Sequence, residues 1–244
     1  MLTLTCASHQ THLPRSHTLA AIITVEHGGT SAPYPWRHTL DFKTLGRTHW
    51  ASDLHIAPLA ISLAERIKAP CIIAHFSRLL IDPNREPSSA TLIPDHVVDD
   101  GLHLSMPALK QGERRERIRR LYAPYHKAVD CLALHYHTSV LLSLHSFTPL
   151  YRGIPRAHEA GVLFNEDTSG AAVFLDSLRH QGIDAQPNWP YSGRDGFIFS
   201  AETHARRHTM RHAIEIELRQ DRLEDSDFVS RSLSALTTAI LSLT

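Results

Sequence analysis

The chain of 244 residues is poor in cysteine and has no phosphate-binding glycine loop, no long apolar run and no net charge. Cys6, Cys71 and Cys131 are odd in number and never spaced C-x-x-C, which argues against a disulfide framework or a cysteine zinc site. Cys71 lies inside an apolar run and reads as a small buried hydrophobe, not a nucleophile. Neither GxxxxGK[ST] nor GxGxxG occurs, so nucleotide binding has no motif to rest on, and the missing GxSxG removes the serine elbow of α/β-hydrolases. Lys plus Arg number 25 and Asp plus Glu 25, which leaves no cationic excess for nucleic acid or an anionic membrane. No apolar run approaches the roughly 18 to 20 residues of a membrane span, and MLTLTCASHQTHLPRSH has no basic segment leading into an apolar one. The expectation is a cytoplasmic protein whose 42% hydrophobic content fills one domain over residues 1–244.

What is abundant is histidine, 19 in all. Most, including His9, His12, His17, His38 and His180, are scattered as surface or core histidines are. The informative ones stand at the ends of predicted strands. Leu19–Val25 is a buried run that opens into Glu26-His27-Gly28-Gly29; Pro70–Ala74 is a second run, followed by the loop SRLLIDPNREPSS; Val140–Leu144 is a third, ending at His145-Ser146-Phe147. Gly161–Phe164 and Ala213–Leu218 are two further strands. Helices are expected over Asp53–Lys68, over Glu113–His137 with a solvated ERRERIRR start, over Gly170–Gln181 and over Asp225–Leu243, each from apolar residues at three- and four-residue steps. Alternating strands and helices imply an α/β fold, a three-layer α/β/α sandwich around a mostly parallel mixed sheet. Ligands of such sheets bind beyond the carboxyl ends of the strands, where Glu26-His27, Asp82 to Arg85, His145-Ser146 and Glu217 to Arg219 would gather.

With other nucleophiles discounted, a metal hydrolase remains: three N/O ligands, an open position for water and a carboxylate base nearby. His27 and His145 are the best-placed imidazoles, and His49, Asp53 and His55 form a third cluster in which Asp53 is either a ligand or a helix N-cap. Glu217 is either a base or the ion-pair partner of Arg219, and NWPYSG is either a pocket segment or a structural turn.

VEHGGTSAP (25–33), HWASD (49–53), SRLLIDPNR (77–85), YAPYHKAV (122–129), LHSFTP (144–149), NWPYSG (188–193) and IELRQD (216–221) occur in one order over most of the chain, and together they resemble the N-formylglutamate amidohydrolase family. The resemblance implies hydrolysis of the formyl amide of N-formyl-L-glutamate, or of a related N-acyl amino acid, at the end of a histidine-degradation route. It also implies a zinc exopeptidase-like architecture and one zinc ion per chain. A glutamate ligand three residues after the first histidine, as in the related zinc deacylases, is replaced here by Thr30, so the second ligand becomes Asp53, with Glu26 in reserve.

On that resemblance His27, Asp53 and His145 hold the metal, Glu217 carries the proton, and Asn84 with Arg85 grips a substrate carboxylate, as a planar guanidinium does well. Arg78 or Arg219 supplies a second cation, Tyr125 and His126 line the pocket or steady the oxyanion, and Asn188 and Tyr191 complete it. The alternatives are a non-catalytic carboxylate-binding protein on the same fold and, less favoured without an export signal, a cell-wall amidase.

Overall fold

In the computed structural model, which describes residues 1–14, 21–38, 45, 48–99 and 102–244, the chain builds an eight-stranded sheet covered by helices on both faces. The strands are β1 (Leu2–Thr5), β2 (His9–Leu13), β3 (Ala21–Val25), β4 (Cys71–Ala74), β7 (Val140–Phe147), β10 (Ala160–Leu163), β11 (Ala185–Pro187) and β12 (His212–Arg219), in the order β1-β2-β4-β3-β7-β12-β10-β11. Two small hairpins stand outside it, β5 (His96–Asp99) with β6 (Leu102–Ser105), and β8 (Leu150–Tyr151) with β9 (Ile154–Pro155). The central four strands, β4-β3-β7-β12, are parallel, and β2 and β10 flank them antiparallel. The mostly parallel mixed sheet expected from the alternation is therefore present. The strand predicted at Leu19–Val25 is described from Ala21 onward; Leu19, Ala20 and His17 lie outside the described residues.

Continuous apolar runs form the central strands because both of their faces are buried. On one face, Ile23, Leu142, Leu144 and Ile216 pack under α1 (Ile56–Ile67), α4 (Thr168–His180) and α6 (Ser226–Ser242). On the other, Ile22, Ile72 and Leu141 pack under α3 (Ala123–Tyr136) and α5 (Phe199–Arg207). The long helix expected over Glu113–His137 is broken into α2 (Glu113–Arg117), a wider π turn at Ile118–Tyr122 and α3. Its basic start is not uniformly solvated as expected: Arg117 is buried and donates to the Leu80 carbonyl (2.7 Å) and to Glu113, whereas Arg119 is exposed. That bond leaves no orphan charge in the core.

The second face matters most. Thr24, Ser143 and Glu215 interrupt its apolar surface, fully or almost fully buried, and Glu26, His145 and Glu217 follow them toward the carboxyl ends. Register aligns Ser143 with Glu215 and His145 with Glu217 across β7 and β12. Side chains two apart on a strand share a face, so neighbouring strands present Ser143, His145, Glu215 and Glu217 as one polar patch.

Candidate active site

The parallel strands end at a common edge, and the loops that leave them close a cleft of about 410 Å³. His27 enters it directly after β3. Tight packing fixes the turn: a Cβ on Gly29 would lie 2.3 Å from the His75 carbonyl group, so glycine alone lets the backbone pass. The Asp53 N–H then donates to the His27 carbonyl (2.8 Å), which brings the loop before α1 onto the turn. Asp53 is not a cap, since His55 occupies the N-cap position of α1 without a side-chain hydrogen bond. The expected His49-Asp53-His55 cluster is thereby divided. Asp53 faces His145, His49 lines the cleft beside Trp50, and His55 turns to Glu224 at 3.4 Å.

His27, Asp53 and His145 converge. His145 Nδ1 lies 2.8 Å and His27 Nδ1 3.5 Å from Asp53 Oδ2, and the two imidazoles meet edge to face at 4.6 Å between centroids. Each ring's second nitrogen is held from behind. His27 Nε2 is 2.7 Å from Asp82 Oδ1; His145 Nε2 is 3.0 Å from Ser143 Oγ and 3.3 Å from Glu26 Oε2. Ser143 Oγ donates to Glu26 (2.6 Å), and Arg78 bridges Asp53 and Asp82 at 3.3 Å each.

Five carboxyls, Glu26, Asp53, Asp82, Glu215 and Glu217, are buried around these rings. Burial works to raise Asp53 and Asp82, but the His27 imidazole, with His145 for Asp53 and Arg78 for Asp82, outweighs it and holds both well below the usual carboxylate range. Glu26 is held low in the same way, against its burial, by His145 and Ser143. Burial pushes Glu215 up to about 7 and Glu217 well above its ordinary value, with the His145 charge an insufficient offset. For His145 burial acts downward, yet Glu215, Asp53 and Glu26 together push it well upward. Such concentration of titratable groups in a cleft marks a functional site.

The donor set suits a metal ion. His27 Nδ1 is buried without a hydrogen-bond partner, and its ring is oriented by a carboxylate through the other nitrogen. His145 has the same backing, an arrangement that fixes the lone pair of a metal-binding imidazole. The exposed Thr30 offers nothing in place of the missing glutamate, and Glu26 sits beneath the rings on Ser143; Asp53 stands between the two Nδ1 atoms. His145 also forms a second candidate group with Glu215 and Glu217.

Other expected residues divide between cleft and scaffold. Arg78, Arg85, Tyr191 and Glu217 line the cleft. Arg85 stacks on the Phe197 ring at 4.5 Å and touches Asp82 only at 3.7 Å, so its terminal nitrogens are available to an anion. Asn84 borders the cleft, but its amide donates to the Phe197 carbonyl (2.6 Å) and to Glu215 (2.9 Å), which leaves no N–H for substrate. Arg219 is outside it, bound to Asp221 and to the Arg156 and Ala157 carbonyls, and is not the partner of Glu217 either. The Asn188 side chain accepts from the Phe164 and Gly193 N–H groups, which makes it a turn anchor. His126 lies behind the cleft, 2.8 Å from His204, and burial beside that imidazole pushes it down to about 3. Tyr125 is buried under the rings with its hydroxyl turned toward Glu26.

Ser143, Glu215 and Arg152 were missed, and Asp82, expected at this edge, had been given no role. Asp82 stands in the quoted IDPNR string, and Ser143 and Glu215 each precede a chosen residue by two, the period of a strand face. Arg152 lines the cleft from the β8–β9 hairpin, which has no pattern to announce it.

The sequence model of the N-formylglutamate amidohydrolase family matches residues 19–223. No curated protein sequence matches significantly. Among solved structures the chain is similar to a gene product of Agrobacterium tumefaciens, with a TM-score of 0.86 at 23% identity over 98% of this chain and 95% of that one. It is also similar to an N-formylglutamate amidohydrolase from Ralstonia eutropha JMP134, with a TM-score of 0.71 at 20% identity over 98% of both chains. At these identities the likeness is one of fold.

Proposed function

Because the chain belongs to the N-formylglutamate amidohydrolase family and is thereby a hydrolytic amidohydrolase, we propose that it cleaves the formyl amide of N-formyl-L-glutamate, or of a close N-acyl amino acid, with zinc held by His27, Asp53 and His145. The convergence of His27 Nδ1, His145 Nδ1 and Asp53 Oδ2, each ring backed by a carboxyl on its other nitrogen, supports this reading. Zinc in such a site supplies a Lewis acid and brings the pKa of water toward neutrality.

The chain's own residues account for the rest. Glu217 Oε2 is buried without a hydrogen-bond partner at the register position opposite His145, placed to take a proton from water and return it to the departing amine. Burial holds the Glu217 carboxyl well above its ordinary pKa, and a metal ion held by His27, Asp53 and His145 would oppose that shift and favour the carboxylate form that a base needs. Arg85 takes a substrate carboxylate, and Arg152 on the hairpin replaces Arg219 as the second cation. The partner is a small molecule. No helix among the described residues is long and apolar enough to cross a membrane.

The test is formate release from N-formyl-L-glutamate by the purified chain, before chelation, after it and after zinc is returned. Activity that vanishes with the metal and comes back with zinc supports the reading. Silence of the zinc-loaded chain on N-formyl-L-glutamate and on related N-acyl amino acids contradicts it.

A further inference from the structure

A second group of imidazoles lies apart from the cleft, between α3 and α5. His204 and His208 are four residues apart on α5 and its C-cap, so both project toward α3, where Asp130 meets them. Asp130 Oδ1 is 2.7 Å from His204 Nδ1 and 2.8 Å from His208 Nε2. The other carboxylate oxygen is taken by Arg207, which fixes Oδ1 toward the imidazoles.

Asp130 Oδ1 and His204 Nδ1 are 2.7 Å apart, so either the imidazole proton or a cation in its place joins them, and His208 offers a cation a third ligand. Buried His126 stands behind, its Nδ1 2.8 Å from His204 Nε2.

We propose that Asp130, His204 and His208 form a second metal site, taking zinc or a similar divalent transition ion, that fastens the end of α5 to α3. Two imidazoles and a carboxylate are a zinc-type donor set, and tetrahedral bonds of about 2.0–2.2 Å place ligand atoms about 3.3 Å apart. Asp130 Oδ1 has only to withdraw by about half an ångström to reach that spacing. Side-chain exposures of 22% for Asp130 and 11% for His208 leave an entry path and room for a water as fourth ligand. Arg207 opposes a cation, but it is 54% exposed and binds the outer oxygen, so it can swing into solvent. His204 is fully buried and backed by His126, the second-nitrogen support that ligand histidines use.

The site consolidates the active centre without touching it. The first turn of α5 donates the Ser200 N–H to Asn84 Oδ1 (3.0 Å), and Asn84 in turn holds Glu215. A clamp on the far end of α5 steadies that chain of bonds.

The experiment counts zinc on the metal-stripped full chain at low free zinc set by a competing chelator, with zinc alone as the probe. His208→Gln is the chosen variant because His208 sits at the helix end and its replacement spares the buried His204; Asp130→Asn is the second. The expected result is two equivalents on the unaltered chain, one on each of these variants and one on His145→Ala. Zinc should also raise the melting temperature more in the unaltered chain than in His208→Gln. Equal zinc content and equal thermal response in the unaltered chain, His208→Gln and Asp130→Asn would overturn the inference and leave a proton in the gap. A single equivalent lost only in His145→Ala overturns this site and keeps the active-site metal; one lost only in His208→Gln does the reverse.

Discussion

The two histidine clusters use the same residue types and differ in what surrounds them. Around His27 and His145 five carboxyls are buried, and the cleft bordering them is lined by Arg78, Arg85 and Arg152. Around His204 and His208 the carboxyl bonded to both rings is Asp130, accompanied by Arg207 and by a third imidazole, His126. The first environment offers buried carboxyls beyond the three proposed ligands, among them Glu217, which the proposed mechanism uses as a base. The second offers the proposed ion two imidazoles and a carboxylate whose outer oxygen is bonded to Arg207. A ligand set alone is thus a fastening; a ligand set with a spare buried carboxyl and an anion-binding wall is a catalyst.

Several substitutions break or sharpen this contrast. His145→Ala has the largest expected effect: loss of one zinc equivalent and of measurable formate release, checked by metal analysis and assay; full zinc content would remove His145 from the ligand set. Glu217→Gln keeps the metal, and turnover falls by roughly 10²–10⁴-fold, the usual scale for a general base. A turnover number near that of the unaltered chain would assign the proton to Glu215. Arg85→Ala chiefly raises KM, by about 10- to 100-fold for a charged hydrogen bond worth about 1.5–3 kcal/mol; an unchanged KM places the carboxylate on Arg152. His208→Gln is smallest, with turnover within about twofold at 25 °C while thermal stability loses its response to zinc.

Much of the frame was legible because parallel strands buried on both faces write themselves as apolar runs, and the residues that follow such runs reach one edge. Glu26-His27, Asp82-Arg85, His145 and Glu217 were found that way. Direction was not legible: nothing in Gly161–Phe164 says that β10 runs antiparallel to β12. The N-terminal strands β1 and β2 were missed because LTLTCASHQTHL is largely polar and pairs at the sheet edge, where one face stays open.

The side chains that went astray did so for local reasons. Asp53 reads as a cap until the long-range bond from its N–H to His27 fixes the loop. His126 and Tyr125 belong to a helix whose period shows a buried face without saying what that face buries, and the answer was the sheet's second face and α5. Arg219 closes β12 where the strand turns, and a neighbouring aspartate two residues on captures it. Asn84 matches the expected Asn-Arg pair, but its donors are spent on Glu215 and the Phe197 carbonyl.

The most direct measurement is formate release from N-formyl-L-glutamate by metal-stripped chains as zinc is returned, run in parallel on the unaltered protein, His208→Gln and His145→Ala. The account predicts that zinc restores activity to the first two and not to the third. Zinc-dependent formate release by His145→Ala, or none by His208→Gln while the unaltered chain is active, would contradict it.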